Sequence, residues 1–241
     1  MNEDVRFRES KSQGEITREW DLIAPARDQQ LRDDEDLSFR EVLKPLVVGS
    51  LEDANSIVDI GCGTGRLTSA LKGPGRRIVG IDPSAKSIQI ARSHDSSGEY
   101  IVNTLEAWVA AHPHERFDLA VVNMVLMDVP DLRGFCRALA QIARGGRVVA
   151  TITHPSFWPL YWGYASNEGF DYMTETIVEA PFKTTLRTYP FESTHIHRPL
   201  SAYFAELVEA GMALTGFEEL RGSESAKLFP FPRFVAFEAR A

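Results

Sequence analysis

The sequence has little cysteine, no long apolar run and no excess of basic residues. Among its 241 residues only Cys62 and Cys136 are cysteines, and neither has a partner at the C-x-x-C spacing of a metal site. We therefore expect a reduced chain without a structural disulfide or a bound metal, which favours a cytoplasmic location. No stretch approaches the roughly 18 consecutive apolar residues of a membrane span, and the N-terminus has no apolar signal core.

Basic residues are also outnumbered by acidic ones. There are 26 lysines and arginines against 34 aspartates and glutamates, which gives a formal net charge of −8. A protein that binds nucleic acid would be expected to carry a basic face, so this balance argues against a nucleic-acid partner. The length fits one large α/β domain or one domain with an insertion. Neither the composition nor the charge indicates an oligomeric state.

The chain is organised around the stretch Ile57–Leu71. A β-branched run at 57–60 is followed by glycines at alternating positions and then by apolar residues at helical spacing. This order predicts a strand, a tight loop and a helix, which lets a ligand approach the backbone closely. Asp82 closes the next apolar run, where a carboxylate accepts hydrogen bonds from ribose hydroxyls. The first hypothesis is therefore a nucleoside cofactor. The three glycines of the loop are Gly61, Gly63 and Gly65.

The charge pattern of the same stretch narrows the cofactor. A dinucleotide fingerprint reads G-x-G-x-x-G, whereas this loop reads G-x-G-x-G and has Arg66 in place of the third fingerprint glycine. Asp59, just before the glycines, would repel a phosphate but suits an ammonium group. S-adenosylmethionine carries ribose, adenine, an ammonium and a sulfonium, and it has no phosphate.

These residues resemble the class I S-adenosylmethionine-dependent methyltransferases, whose motif reads like Val58–Gly65 followed one strand later by Gly-Ile-Asp at 80–82. The segments at 117–123 and 145–152 continue the resemblance. It implies an α/β, Rossmann-like, seven-stranded, mostly parallel sheet with one antiparallel strand and helices on both faces. It also implies an enzyme that moves a methyl group to O or N of a small-molecule acceptor.

The resemblance and the composition together predict three segments. Residues 1–50 would form an N-terminal helical cap, and residues 51–241 the methyltransferase domain. Residues 155–198 are rich in aromatic side chains and follow the fifth strand of that domain. We interpret them as a substrate lid for an aromatic or hydrophobic acceptor, with a satellite core or a dimer surface as the alternative. An antiparallel hairpin is predicted there, at 174–178 and 183–188, and residues 1–15 are expected to be frayed.

The family resemblance assigns cofactor contacts to the loops at the carboxyl ends of the strands. Asp59 would face the ammonium group, Asp82 the ribose, and Asn123 the sulfonium side. Relatives often have Asp near the adenine where this chain has Thr104, so the Leu105 backbone N–H is the expected substitute. The residues assigned to the cofactor are Asp59, Gly61, Cys62, Gly63, Gly65, Asp82, Pro83, Thr104, Leu105, Glu106 and Asn123.

A catalytic base is needed only if the acceptor must lose a proton. His154, directly after the fifth strand, is the first candidate, and Asp128, His195 and His197 come next. Each of the histidines has a purely structural alternative, and the pair at 195 and 197 lacks the further ligands of a metal site. Two rival functions also stay open: a nicotinamide-dependent Rossmann oxidoreductase and a cofactor-binding module without catalysis.

Overall fold

The computed structural model describes residues 4–183, 187–223, 225 and 228–241. The strands are β1 (Arg6–Arg8), β2 (Ser56–Ile60), β3 (Arg77–Asp82), β4 (Glu99–Val102), β5 (Leu119–Asn123), β6 (Arg147–Thr153), β7 (Thr176–Lys183), β8 (Thr188–His197), β9 (Ala213–Leu220) and β10 (Phe234–Arg240). The α-helices are α1 (Gln13–Arg32), α2 (Lys44–Gly49), α3 (Arg66–Ala70), α4 (Ala85–His94), α5 (Leu105–Ala111), α6 (Leu132–Ile142), α7 (Trp158–Trp162) and α8 (Leu200–Glu209).

Seven of these strands form the central sheet, in the order β4-β3-β2-β5-β6-β10-β9. The first five are parallel, and β10 runs antiparallel to both β6 and β9. Each parallel strand is joined to the next by a helix, as βαβ crossovers require. The predicted fold class, a mostly parallel seven-stranded sheet with one reversed strand, is confirmed.

Local sequence explains where the elements of this sheet begin and end. The β2 residues Val58 and Ile60 are buried, as expected of a strand covered by helices on both sides. Asp131 caps α6, because its side chain accepts a hydrogen bond of 2.9 Å from the Gly134 N–H. The apolar face of α6, which includes Leu139, packs into the main core against the sheet. The carboxyl ends of the parallel strands are thereby held at one edge, where a ligand site is expected.

A second, three-stranded antiparallel sheet has the order β1-β7-β8. In it Phe7 pairs with Val178, and Val178 in turn pairs with His195. The expectation of a frayed N-terminus is therefore wrong for residues 6–8, which have hydrogen-bond partners in the insertion. A hairpin is present, but its strands are displaced along the chain from those predicted: Lys183 ends β7 instead of beginning the second strand, which starts at Thr188. Residues 184–186 of the predicted second strand lie outside the described part of the chain.

The aromatic side chains of the insertion form a second core beneath the small sheet. This core includes Trp158 and Tyr164 and continues to Phe234 on β10. Helix α1 lies against the small sheet: Trp20 contacts Phe182 of β7 at a ring-centroid distance of 6.4 Å. The division into residues 1–50, 51–241 and 155–198 stays a prediction. In the part of the chain that the structure describes, no helix is both long and apolar enough to cross a membrane.

Candidate active site

The glycine loop joins β2 to α3 and is tied to the neighbouring strand. The backbone N–H of Gly61 donates to the Ile81 carbonyl at 2.7 Å. Gly61 has φ +68°, and a Cβ built there would lie 2.3 Å from Val125 Cγ2. Gly63 has φ +53°, but a Cβ there would meet no atom within 4 Å. Both positions need the left-handed backbone that glycine tolerates, but of the two only Gly63 has room for an added Cβ.

That open space belongs to a cavity of about 190 Å³ at the carboxyl ends of the parallel strands. Residues assigned to the cofactor from sequence meet there from four different loops. Gly65 is an exception: it is not among the lining residues, and a Cβ there would lie 2.9 Å from the Tyr100 hydroxyl. Gly65 therefore serves close packing at the start of α3. The assigned residues that line the cavity are Asp59, Gly61, Cys62, Gly63, Asp82, Pro83, Thr104, Leu105, Glu106 and Asn123.

Two buried carboxyl groups, Asp59 and Asp82, dominate the electrostatics of the cavity beside the glycine loop. Asp59 accepts a hydrogen bond of 2.6 Å from the Thr68 hydroxyl, and burial raises the pKa of its carboxyl to about 7. Asp82 accepts from the Gly63 N–H at 2.9 Å and from the Ser84 N–H at 2.8 Å. Burial raises the pKa of Asp82 to about 6. The charged form of each group therefore lacks full compensation within the described chain.

The loop after β4 forms another wall. The Thr104 side chain caps α5 by accepting a hydrogen bond of 3.2 Å from the Ala107 N–H. Asn103, which sequence reasoning did not assign to the site, also lines the cavity, and its side-chain oxygen accepts from the Thr104 N–H at 3.0 Å. Leu105 is buried and lines the cavity as the first residue of α5. This wall offers apolar surface and amide groups to a ligand.

Helix α1 forms the roof of the cavity. No residue of this helix was assigned to the site from the sequence. Ile16 and Trp20 on this helix line the cavity. Asp28 anchors the helix through contacts of 2.9 Å to His94 on α4 and 3.4 Å to Arg66 on α3. Asp21 adds a second anchor, since it accepts from the Ser84 hydroxyl at 2.7 Å. The helical cap over residues 1–50 was predicted from the family resemblance, without any residue of it assigned to the site.

Asp128 is the predicted catalytic candidate that lies in the cavity lining. It sits in the short turn between β5 and α6, beneath α1. Its carboxyl accepts a hydrogen bond from the Trp20 indole N–H. Burial raises the pKa of Asp128 well above its ordinary value, and the nearby Glu19 and Asp82 add to the effect. A carboxyl group with a raised pKa is a stronger proton acceptor than an ordinary one.

The three histidine candidates lie outside the lining of the cavity. His154 Nε2 lies 2.6 Å from Glu219 Oε1, and its Nδ1 accepts from the Ser156 N–H at 3.2 Å. His195 is enclosed by Trp158 and Trp162, and burial lowers its pKa to about 3.

His197 Nε2 donates to the Tyr172 carbonyl at 3.0 Å, and its Nδ1 is buried without a described partner. The two histidines of β8 belong to the aromatic core beneath the small sheet, where they are neutral. Sequence spacing placed them correctly on one strand but gave no information about which side of α1 that strand would face.

Three carboxylates that could be mistaken for a metal site lie between α1 and the small sheet. Oxygen atoms of Glu19, Glu179 and Glu192 lie within 4.8 Å of one another. Cations already occupy the space between them: Lys11 pairs with both Glu19 and Glu179, and Arg8 pairs with Glu179 at 2.6 Å. The cluster is therefore an ion-pair network that holds α1 against β7.

The residues of the cavity fit S-adenosylmethionine. Two buried carboxyl groups without a described cationic partner suit an ammonium group and a ribose diol. Each Asp82 oxygen accepts one backbone N–H and keeps capacity for another donor. The Thr64 hydroxyl is buried in the glycine loop without a described hydrogen-bond partner, and it lines the cavity. Arg66 stands in place of the third fingerprint glycine, so the loop lacks the glycine pattern of a dinucleotide phosphate site.

Comparison with known proteins also indicates a methyltransferase domain. Residues 58–150 match the family described as a methyltransferase domain. A ubiquinone biosynthesis O-methyltransferase of Methylobacterium sp. (strain 4-46) is 39% identical over 95 residues, which are 38% of this chain and 37% of that protein. The chain thus spans about two-fifths of the length of this curated relative.

Solved structures share the fold over nearly the whole chain. An S-adenosylmethionine-dependent methyltransferase from Clostridium acetobutylicum ATCC 824 superimposes with a TM-score of 0.62 at 14% identity, covering 92% of this chain and 98% of that one. The [4+2]-cyclase SpnF superimposes with a TM-score of 0.66 at 14% identity, covering 97% of each chain. The second likeness means that the fold does not by itself decide the reaction. Residues 58–150 thus match a methyltransferase domain, and nearly the whole chain shares the fold of S-adenosylmethionine-dependent methyltransferases of known structure.

Proposed function

We propose that this protein binds S-adenosylmethionine in the cavity and transfers its methyl group to an oxygen or nitrogen atom of a small-molecule acceptor. The observation that carries the proposal is the meeting of Asp59, Gly63 and Asp82 at one open cavity within a methyltransferase domain. The relatives' names alone do not carry it, because the match covers about two-fifths of their length. The two acidic side chains and the missing phosphate site favour this cofactor over a nicotinamide dinucleotide.

The roles of the cofactor-binding residues follow from their surroundings. In this proposal Asp59 pairs with the ammonium group, and Asp82 accepts from the ribose hydroxyls. Leu105 and its neighbours in the loop after β4 enclose the adenine, and Asn123 borders the sulfonium side. When bound, S-adenosylmethionine supplies an electrophilic methyl group. The chain holds the acceptor in line with that group and excludes water, an effect worth roughly 7–11 kcal/mol at best.

Asp128 is the residue that we propose takes the acceptor's proton. It lines the cavity, and its hydrogen bond to Trp20 fixes its orientation beneath the roof. His154, His195 and His197 have partners or packing elsewhere, which supports Asp128 ahead of them. The proton-transfer step is expected to contribute about 10²–10⁴-fold to the rate if the acceptor loses a proton.

The acceptor is proposed to be a small aromatic or hydrophobic compound. The cavity that Asp128 lines has apolar side chains in its wall, among them Ile16, Trp20, Met124, Val125 and Phe135. The aromatic insertion acts in this proposal through α1, which it supports from behind, rather than by lining the cavity itself. The net charge of −8 supports a partner other than nucleic acid. Two buried free cysteines support a cytoplasmic location.

A ligand-dependent thermal shift tests the cofactor assignment. S-adenosylmethionine at about 100 times its Kd should add about 2.7 kcal/mol of stability, or roughly 5–10 °C in a chain of this size. NADPH at the same concentration should leave the transition unchanged. Stabilisation by NADPH alone would overturn the proposal in favour of an oxidoreductase.

A methyl-transfer assay separates an enzyme from a non-catalytic module. S-adenosylhomocysteine release would be followed over a panel of metabolites, with Asp128→Asn as the comparison. Release that depends on an acceptor and falls by at least tenfold in this variant is expected. Tight cofactor binding without release on any acceptor would favour the binding module.

A further inference from the structure

We propose that Arg27 and Arg66 form a carboxylate-binding subsite in the cavity, where their guanidinium N–H groups hold a carboxylate of the cofactor or of the acceptor. This subsite rests on the proposed methyl transfer and adds two residues to its binding machinery. S-adenosylmethionine carries a carboxylate on its methionine part, and a hydrophobic acceptor with an acid group carries another. The recognition chemistry is the same for both, and the two sources are separated by experiment.

These two arginines are the cations of the cavity wall. Arg27 lies on α1, Arg66 is the first residue of α3, and both line the cavity. Among the lining residues that the structure describes, no other carries a positive charge. Asp28, the residue after Arg27, lies 3.4 Å from Arg66, so the two arginines stand on adjoining walls. An anionic group that enters the cavity is therefore expected to bind at this pair. The acids of the wall are Asp59, Asp82, Glu106 and Asp128.

Arg66 has most of its hydrogen-bonding capacity left over. Its Nε is buried without a hydrogen-bond partner, because Asp28 Oδ1 is near enough for an ion pair but not aligned for a hydrogen bond. No hydrogen bond from its Nη groups is found within the described ranges of the chain, and 31% of the side chain is exposed. A guanidinium has five N–H donors, so the protein itself uses little of this one. A ligand oxygen at the Nη groups would supply the missing acceptor.

Asp28 compensates the charge of Arg66 only in part. Its Oδ2 lies 3.2 Å from Arg32 Nε, and its Oδ1 lies 2.9 Å from His94 Nε2. One carboxylate is thus shared between two arginines and a histidine. Positive charge is left over on Arg66, and Asp28 keeps two partners when Arg66 is replaced.

Arg27 is fixed by the protein through one of its nitrogens. Its Nη1 donates to Asp36 at 2.6 Å and to the side-chain oxygen of Gln30 at 2.5 Å. For its Nε and Nη2 no hydrogen bond is found in the described part of the chain. The contact with Asp36 therefore orients the guanidinium and leaves two of its nitrogens available to a ligand.

The surroundings of the pair favour a carboxylate. Leu31, one turn after Arg27 on α1, lines the cavity together with Phe39 and Leu67. Apolar walls exclude water, so opposite charges attract one another more strongly there than at the protein surface. The planar fork of arginine matches a carboxylate through two parallel N–H···O bonds. A dianionic phosphate is less suitable, because the acids that line the same cavity repel its second charge.

Calorimetry with two cofactor forms tests the first source. S-adenosylmethionine would be compared with its decarboxylated form, which keeps the ammonium and the sulfonium. If the cofactor supplies the carboxylate, S-adenosylmethionine should bind at least tenfold more tightly. Arg66→Gln should remove most of this preference, and Arg66→Lys, which keeps the charge without the fork, should retain part of it. Arg144→Gln makes the same change at an exposed position outside the cavity lining and should leave the preference intact.

An acid and its amide test the second source. 3-Phenylpropanoate and 3-phenylpropanamide have the same ring and nearly the same size, and both would be titrated into the complex with S-adenosylhomocysteine. If the acceptor supplies the carboxylate, the acid should bind at least tenfold more tightly than the amide. Arg66→Gln should again remove most of the preference. A preference in one of the two comparisons assigns the subsite to that source.

A merely structural role of the arginines gives a different result. Loosening of the roof weakens all four ligands together, so both ratios stay unchanged in Arg66→Gln, and that outcome overturns the inference. Where Arg66→Gln does not fold, the ratios are measured on Arg66→Lys and Arg27→Gln, and ratios unchanged in both variants overturn it as well.

The proposed function and the subsite fail in distinguishable ways. Calorimetry that detects no binding of either cofactor form to the unaltered protein removes both proposals. Normal binding of S-adenosylmethionine, combined with equal binding within each pair of ligands, leaves the proposed function standing and removes only the subsite.

Discussion

At the scale of single residues, the two glycines at 61 and 63 do different things although they look alike in the sequence. Both have positive φ, but an added Cβ at Gly61 would strike Val125, whereas at Gly63 it would enter the cavity. The difference depends on which loop packs above each glycine. That loop comes from β5, some sixty positions away in the chain, so no local pattern could reveal it.

Alanine substitutions should separate these roles. Gly61→Ala should lower the free energy of unfolding by roughly 2–5 kcal/mol, because backbone strain and overpacking add. Gly63→Ala should cost about 1–2 kcal/mol in stability but abolish most cofactor binding, since its methyl group occupies the cavity. Urea unfolding and calorimetry would be measured on both variants. The assignment fails if Gly63→Ala keeps full affinity.

Asp82 gives a second residue-level prediction. Asp82→Ala should weaken S-adenosylmethionine binding by about 1–3 kcal/mol, because the carboxylate is the acceptor expected for the ribose hydroxyls. Asp82→Asn keeps one acceptor oxygen and should lose less affinity than alanine. The alanine variant also loses the bonds to Gly63 and Ser84, so its circular dichroism spectrum serves as the check on folding. Unchanged affinity in calorimetry would remove Asp82 from the site.

At the scale of elements, the ion-pair network between α1 and β7 fastens the roof of the cavity. Glu179 on β7 has 4% of its side chain exposed, and it pairs with Lys11, which is 8% exposed, and with Arg8. Because Arg8 lies on β1, the same network also joins β1 to β7. Its strength is expected to set how firmly α1 covers the cofactor.

Removing Glu179 should therefore loosen the roof. Glu179→Ala should lower the free energy of unfolding by about 3 kcal/mol, the low end for a broken buried pair, because Lys11 keeps Glu19. Proteolysis within residues 4–12 should become faster. Glu192→Ala is the matched control: Glu192 is 45% exposed and pairs with Arg6, so its loss should cost less than about 1 kcal/mol. Equal losses in the two variants would refute a special role for Glu179.

The start of α1 could also have been predicted from the sequence. Ser12 and Glu15 form a capping box, in which the Ser12 N–H donates to the Glu15 side chain at 2.8 Å. Ser-x-x-Glu ahead of Ile16 is a sequence signal for a helix start, and it argues against a frayed segment up to residue 15. The pairing of β1 with β7 has no such local signal, because the partner strand lies some 170 residues later.

At the scale of the whole molecule, the buried acids couple cofactor binding to pH. The pKa values of Asp59 and Asp82 are raised to about 7 and about 6, from an ordinary value of 3.8. Between pH 4 and pH 7 the native state therefore binds more protons than the unfolded chain. These two groups make the ligand-free protein less stable as pH rises through this range.

Binding of a cationic ligand should reverse part of that trend. An ammonium group favours ionised carboxylates, so S-adenosylmethionine affinity should rise between pH 5 and pH 7.5 and binding at pH 6 should release protons. Calorimetry in two buffers of different ionisation enthalpy measures the proton release directly. Asp59→Asn should reduce both the release and the slope of affinity against pH. Proton uptake at pH 6 would contradict the assignment of these carboxylates.

The sequence by itself determined the βα order of the domain, the glycine loop and the two acids beside it. It could do so because a strand, a turn and a helix leave their patterns within a few neighbouring residues, and because parallel strands bring their loops to one edge. Those local signals carry the resemblance that implied the fold class and the proposed cofactor contacts.

Only the tertiary structure decided what surrounds the acceptor. Trp20 reaches Asp128, Lys11 is held between Glu19 and Glu179, and the histidines of β8 pack away from the cavity. Each of these contacts joins segments that are distant in the chain. The charge of a side chain is known from the sequence, but whether that charge is compensated depends on partners that only tertiary packing brings together.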